Sequence, residues 1–181
     1  MKVTPVFETS FSKLYGKPCW GVKQGYGSFL TIEFGKPHLR IREPIVASPQ
    51  ASKKVREGLA RRGANVHGDW HLWIYCCDWE VLFREKRVAH SESSDKLIAR
   101  AATFLNGQKL VRFSIAPRGV RCTFEFDLGG ALKTRPNSRT HEQWLLYEPK
   151  GKVLVLRADN RYAHHGAGDP ERLGVWKPVR T

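Results

Sequence analysis

Apolar and polar positions alternate along much of this chain, with the period of two that sends successive side chains to opposite faces of a β-strand. Between residues 28 and 34, Leu30, Ile32 and Phe34 share one face while Ser28, Thr31 and Glu33 fall largely elsewhere. Residues 38–42 alternate again, with Leu39 and Ile41 against His38, Arg40 and Arg42, and Gly35-Lys36-Pro37 makes a compact turn between the runs. This pattern predicts a hairpin with one buried and one cationic face. The second half repeats it. Val120, Cys122, Phe124, Phe126 and Leu128 oppose Arg121, Thr123, Glu125 and Asp127; Val111, Phe113 and Ile115 oppose Arg112 on the strand before, across a turn at Pro117-Arg118-Gly119. Two aromatic-rich segments, Trp70 to Phe83 and Gln143 to Arg157, are apolar on both faces and are expected as hairpins of central strands. The second turns at Glu148-Pro149-Lys150-Gly151.

Two stretches break the period. Residues 49–62 carry Val55 and Leu59 four apart among Lys53, Lys54, Arg56, Arg61 and Arg62. Ser48 as N-cap, Pro49 at the first helical position and Gly63 as the stop outline a helix, although so thin an apolar stripe gains little by packing. Residues 94–105 place Leu97, Ile98, Ala101, Ala102 and Leu105 on one face, with Ser93 or Ser94 to cap the start and Asn106-Gly107 the end.

The chain also resembles itself. Leu14-Tyr15-Gly16-Lys17, Thr31-Ile32-Glu33-Phe34, Leu39 and Pro44 recur as Leu105-Asn106-Gly107-Gln108, Thr123-Phe124-Glu125-Phe126, Leu132 and Pro136. Tyr75, Val81 and Leu82 similarly match Tyr147, Val153 and Leu154. A fixed spacing of this kind speaks for repeated architecture. The expected fold is α+β and β-rich: two similar antiparallel β lobes from an internal duplication, joined by one amphipathic helix. The first lobe covers 1–92 with a basic insert at 49–69, the linking helix 93–108 and the second lobe 109–158. Residues 159–181 are expected as an irregular tail, anchored by Val175 and Trp176.

Composition fits one compact unit: 181 residues, 41% hydrophobic and 11% aromatic, are enough for a core. No apolar run approaches the roughly 18 residues that span a bilayer. The start, Met1-Lys2-Val3-Thr4-Pro5, lacks the apolar stretch of a signal peptide, so no membrane partner and a cytoplasmic location are expected. Cys19, Cys76, Cys77 and Cys122 read as free, buried thiols. The charge is the strongest signal: 31 Lys and Arg stand against 17 Asp and Glu, net +14, without any solid cationic block. Such a field favours anionic partners, and two groups of cations are the candidate contacts. One is the insert, with Lys53, Lys54, Arg56, Arg61 and Arg62. The other is the outward strand faces, with Arg40, Arg42, Arg112, Arg118 and Arg121, which would merge into one surface if the halves packed about a two-fold.

Other constellations are weaker. Trp70, Trp73 and Trp79 near His71 and Tyr75 could stack bases, yet a segment apolar on both faces is better explained as core. His67, His71, Cys76 and Cys77 invite a zinc reading. On a single strand, however, positions four apart lie about 13 Å from each other, and adjacent cysteines point to opposite faces, so no metal and no cofactor are expected. No Gly-rich phosphate loop, nucleophile elbow or His-Glu-x-x-His motif occurs. Asp78 and Glu80 with Glu85-Lys86 form only a loose nuclease-like set, and His164-His165 with Asp159 and Asp169 would need an ordered tail over a cleft.

The expected role is therefore a non-catalytic binding protein, not an enzyme, engaging nucleic acid first and an acidic protein surface second, with a homodimer left open. A small duplicated β-rich domain with tryptophan-bearing hairpins resembles bacterial inhibitor and immunity proteins in style. That resemblance implies the alternative: an inhibitor or immunity-type factor that binds and blocks a bacterial toxin or defence protein. Inhibitors of nucleic-acid-cleaving toxins are usually acidic, which this chain is not.

Overall fold

The computed structural model describes residues 2–166, 168 and 175–180. In chain order the elements are α1 (Pro5–Phe11), β1 (Cys19–Gln24), β2 (Leu30–Phe34), β3 (His38–Arg42), α2 (Lys53–Leu59), β4 (Gly63–His67), β5 (Trp70–Ile74), β6 (Cys77–Phe83) and β7 (Lys86–His90). Then follow α3 (Asp95–Leu105), β8 (Leu110–Ile115), β9 (Cys122–Phe126), β10 (Gly130–Pro136), β11 (Glu142–Glu148), β12 (Lys152–Arg157), β13 (Arg161–Gly166) and β14 (Lys177–Pro178). All the pairings are antiparallel. A seven-stranded sheet runs β1-β2-β5-β11-β12-β13-β14, a five-stranded sheet runs β7-β6-β10-β9-β8, and β3 and β4 pair only with each other. No helix among the described residues is long and apolar enough to cross a membrane.

The alternation seen in the sequence sets which faces meet. Leu30, Ile32, Phe34, Leu72, Ile74, Trp144, Leu146, Leu154 and Leu156 from the first sheet join Val81, Leu132, Phe113, Cys122, Phe124 and Phe126 from the second in one buried cluster. Trp144 lies at its centre. The indole is fully buried, with ring centroids of Phe11 at 5.5 Å, Phe113 at 5.7 Å, Phe7 at 6.1 Å and Phe124 at 6.2 Å. The helices close the sides between the sheets. α3 contacts β1 and β7, an edge strand of each sheet. α1 contacts β8 and sets Phe7 5.2 Å from Tyr162 of β13. Covering sheet edges with helices removes the unpaired backbone that would otherwise invite further strands.

α3 forms over the stretch its periodicity predicts, with Ile98, Ala101, Ala102 and Leu105 buried but Leu97 exposed, Ser94 at the N-cap position and Gly107 at φ +91° beyond the end. Ser94 supplies no side-chain cap; the Ser93 hydroxyl instead accepts from the His90 N–H at 2.9 Å. α1 was not legible in the alternation, yet Pro5 opens it and Phe7 and Phe11, four apart, bury its one apolar face. α2 starts later than the sequence suggests. Its N-cap is Ser52, whose hydroxyl accepts from the Val55 N–H, and none of its residues is buried.

Three further expectations are corrected. Residues 30–34 and 38–42 are not a hairpin: β2 pairs with β1 and β5, and Leu39 and Ile41 are 65% and 47% exposed. Trp70 to Phe83 is not a hairpin either, because β5 and β6 belong to different sheets. Arg161–Gly166, placed in an irregular tail, is a strand paired along β12, and Val179 beyond it is buried. Gln143 to Arg157 does form a hairpin, β11 against β12, turning at 149–151. At Val111 a register irregularity between Leu110 and Arg112 turns the side chain outward, to 46% exposure.

The two halves are threaded alike. Each runs helix, three-stranded meander, then a hairpin that leaves for the opposite sheet: β6 and β7 lie beside β10, and β11 and β12 beside β5. Where the halves meet, residues 91 apart exchange equivalent bonds. The Gly16 N–H donates to Leu110 O at 2.8 Å and the Gly107 N–H to Cys19 O at 2.7 Å. Likewise the Cys19 N–H reaches Gln108 O at 2.8 Å and the Leu110 N–H reaches Lys17 O at 3.2 Å. The sheets thus do not divide along the chain at residues 92 and 109.

Candidate functional site

Between β2 and β5 the chain leaves the sheet as an arm, the β3–β4 ribbon with α2 at its far end. Eight Lys and Arg between residues 36 and 67 face only two carboxylates, Glu43 and Glu57. Directly opposed pairs give the ribbon two faces: Leu39 with Val66 and Ile41 with Ala64 on one, Arg40 with Asn65 and Arg42 with Gly63 on the other. The apolar face stays in solvent, as do Ile45, Val46 and Val55, so packing does not explain why these side chains are there.

The arm's cations have different duties. Arg42 holds the arm together: its guanidinium donates to Glu43 O and Leu59 O, both at 3.1 Å, and to Gly58 O and Arg61 O, both at 3.0 Å, satisfying carbonyls left open at the end of α2. Arg62 forms a two-pronged pair with Glu43 at 2.8–3.1 Å. Arg56 donates to Pro49 O at 3.0 Å, and Lys53 lies 3.8 Å from Glu57 in a solvated pair. Arg40, Lys54 and Arg61 pair with no carboxylate among the described residues. Arg42→Ala is expected to remove about 1.5–3 kcal/mol of local stability. Trypsin cleavage between residues 43 and 62 should then accelerate roughly tenfold or more while the thermal transition of the sheets stays in place.

The remaining candidate cations lie elsewhere: Arg112 on β8 opposite Glu125, Arg118 in the β8–β9 loop, and Arg121 just before β9. Seven of the ten therefore share the arm and three sit on the other sheet, and no hydrogen bond or ion pair joins the groups among the described residues.

At the arm's root is a cluster that spacing rules obscured. β4 ends at His67, the chain reverses through Gly68 and Asp69, and β5 carries His71. The two imidazoles are thus not four residues apart on one strand; their ring centroids are 5.1 Å apart. Between them lies Glu33, opposite His71 in the β2–β5 register and 3% exposed. Its Oε1 is 2.7 Å from His71 Nδ1 and 3.2 Å from His67 Nδ1, and its Oε2 accepts the Gly68 N–H at 2.9 Å. Burial works to raise the Glu33 carboxyl, but the bonds from His71 and Gly68 outweigh it and hold it below the ordinary range. Burial pushes the His67 imidazole down, against the pull of Glu33. Gly68 makes the reversal possible: a Cβ there would sit 2.3 Å from the Phe34 carbonyl oxygen. Gly68→Ala is expected to cost about 1–3 kcal/mol, read from the urea midpoint.

The other candidates resolve into structural roles. Trp79 is buried and its indole N–H donates to Ser28 O at 2.6 Å, whereas Trp73 and Tyr75 remain half-exposed with Phe29 in a ring cluster at 4.6–6.0 Å. Burial pushes the thiols of Cys19 and Cys122 up to about 12 and those of Cys76 and Cys77 upward, so none is a ready nucleophile. A cleft of about 520 Å³ lies over the five-stranded sheet and includes Asp78, Glu80, Lys133 and Arg135. Its carboxylates are engaged: Arg135 and Asn137 take both oxygens of Asp78, and Arg87 lies 4.0 Å from Glu80. Glu85 and Lys86 are at the far β6–β7 turn, five or more residues along the strand from Asp78, which is about 16 Å at 3.3 Å per residue. In the tail, Glu148 lies between the Ser10 hydroxyl and His164 Nε2, the latter at 3.4 Å. A relay needs the base, not the carboxylate, in the middle. Asp159 pairs with Arg157, His165 Nδ1 meets Gly166 O at 2.7 Å, and Asp169 lies outside the described residues.

Fold and site together define a β-rich protein of two face-to-face antiparallel sheets bearing a cationic arm. In comparisons with known proteins, no family model, no curated protein and no solved structure matches the chain.

Proposed function

We propose that this chain is a non-catalytic binding protein that engages nucleic acid through the cationic face of its arm. The observation that carries the reading is the arm itself: a two-stranded ribbon with a helix that buries nothing, built around Arg42 and presenting Arg40, Lys54 and Arg61 to solvent. A two-stranded ribbon is one of the few elements that fit a duplex groove, and lysines and arginines beside it meet phosphates. The half-exposed Trp73, Tyr75 and Phe29 add a stacking surface suited to unpaired bases. The reading without catalysis draws support from the candidate carboxylates Asp78, Glu148 and Asp159, each held by a neighbouring side chain. The test is fluorescence anisotropy of labelled DNA and RNA between roughly 50 and 300 mM salt, a range across which several phosphate contacts cost orders of magnitude in affinity. Absence of binding at the lowest salt would sink the proposal.

One observation favours a second reading. Leu39, Ile41 and Val66 expose an apolar strip beside the cations, which suits an acidic protein surface with an apolar centre, as in an inhibitor or immunity-type complex. That reading expects a stoichiometric complex indifferent to added DNA or RNA. We also infer an internal duplication in which each half lends its hairpin to the other's sheet. The reciprocal bonds between residues 91 apart support it.

A further inference from the structure

Neither sheet packing nor anion binding needs a buried carboxylate oxygen faced by two ring nitrogens. We propose that Glu33, His67 and His71 form a three-ligand site for a divalent cation of the zinc class, placed where the arm meets the sheet. One donor atom from each residue lies within 4.8 Å of the others. Two imidazoles and one carboxylate are a ligand set zinc accepts, and donors about 2.0–2.2 Å from a tetrahedral ion stand about 3.4 Å apart. The two nitrogens already lie 3.2 and 2.7 Å from Oε1, so these two pairs need to open by well under an ångström, and the nitrogens stand within 4.8 Å of each other.

The surroundings also orient the ligands. The Gly68 N–H on Oε2 turns Oε1 toward the imidazoles, the outer-shell bond that ligating carboxylates commonly make. The reversal carrying His67 is pinned twice: Gly68 abuts the Phe34 backbone, and Asp69 Oδ2 accepts the Lys36 N–H at 2.8 Å. The His67 and His71 side chains keep 26% and 17% exposure, which leaves a path for an ion and a fourth position for water. The equivalent motif in the second half shows the contrast. Glu125 stands opposite Arg112, with no arm over it and no imidazole partner among the described residues. The cation would connect three segments that chain continuity alone leaves to hydrogen bonds: β2, β5 and the end of β4.

The full-length chain, stripped with EDTA and dialysed, is titrated with Co²⁺ while visible d–d absorbance is followed, then with Zn²⁺ in competition by calorimetry. The expected result is one ion per chain and a cobalt spectrum of four- or five-coordination. His67→Ala and His71→Ala should each lower affinity by at least the roughly 10–100-fold typical of outer-shell losses. Cys76→Ala should change nothing. His67→Ala lies at the end of the ribbon, outside both main sheets, so an unchanged circular dichroism melt separates a lost ligand from a lost fold. No binding at millimolar ion, or binding that survives both histidine substitutions, would overturn the site and leave a hydrogen-bonded His–Glu–His network. Neither readout involves nucleic acid, so this site and the arm's anion binding stand or fall separately.

Discussion

Reversing Lys54 and Arg61 to Glu together is expected to weaken DNA or RNA binding roughly a hundredfold at 0.1 M salt, since each neutralised phosphate contributes about 0.9 log unit per decade of salt. The slope of log K against log salt should flatten by about two. The loss should be uniform across sequences, because phosphates carry no base identity. These two positions are chosen because neither is engaged by a carboxylate among the described residues. Arg42 is unsuitable for the purpose: its four bonds to carbonyls hold the arm's shape, and changing it would confuse folding with contact. Anisotropy titrations at several salt concentrations give both quantities. Unchanged affinity would remove the arm from the interface. An equal loss from Arg112→Glu with Arg121→Glu would instead place the contact on the five-stranded sheet.

Trp144→Ala is expected to destabilise the protein by about 3–5 kcal/mol, the usual cost of deleting a buried aromatic. For a chain of this size that lowers the melting temperature by roughly 10 °C or more. The indole belongs to β11 of one sheet and touches Phe113 and Phe124 of the other together with Phe7 and Phe11 of α1, so the cavity opens where three elements meet. Its N–H, 3.5 Å from the Cys122 sulfur, adds little, and the loss is one of packing. Thermal denaturation by circular dichroism measures it. A shift of only one or two degrees would mean that the sheets are not locked through this ring.

The strands themselves were legible in the sequence, and their partners were not. Period two identified β2 and β9, and an apolar run on both faces identified β12, because those strands have one face or both in the core, but neither pattern says which strand lies alongside. β3 shows the limit: Leu39 and Ile41 alternate as a buried strand would, yet they sit on the exposed ribbon. The self-resemblance aligned positions that occupy different strands for a related reason. Its 91–93 offset matches bonds the halves exchange, whereas Leu39 and Leu132, aligned in sequence, occupy β3 and the meander strand β10, whose place in the first half is filled by β5. Tyr75 also lies in the connection between β5 and β6, with Val81 and Leu82 on β6, while Tyr147, Val153 and Leu154 fall on the adjacent pair β11 and β12. Seven of the ten cations named from the sequence share the arm, because the insert is continuous in the chain. The Glu33–His67–His71 cluster escaped because its carboxylate is 34 residues from the nearer imidazole and because the reversal at Gly68 was read as part of one strand.

The crossing of hairpins between sheets bears on how the chain comes to be folded at all. As it emerges from a ribosome, β6 and β7 appear with no sheet to join, since their neighbour β10 is made more than forty residues later. The meander β1-β2-β5 waits longer still, for β11. The two junctions that complete the sheets, β6 with β10 and β5 with β11, are therefore deferred until most of the chain exists, and loop closure over such separations is slow. During that interval the meander and the hairpin each keep an open edge strand and an uncovered apolar face, the circumstance in which nascent proteins aggregate and in which holding chaperones matter most.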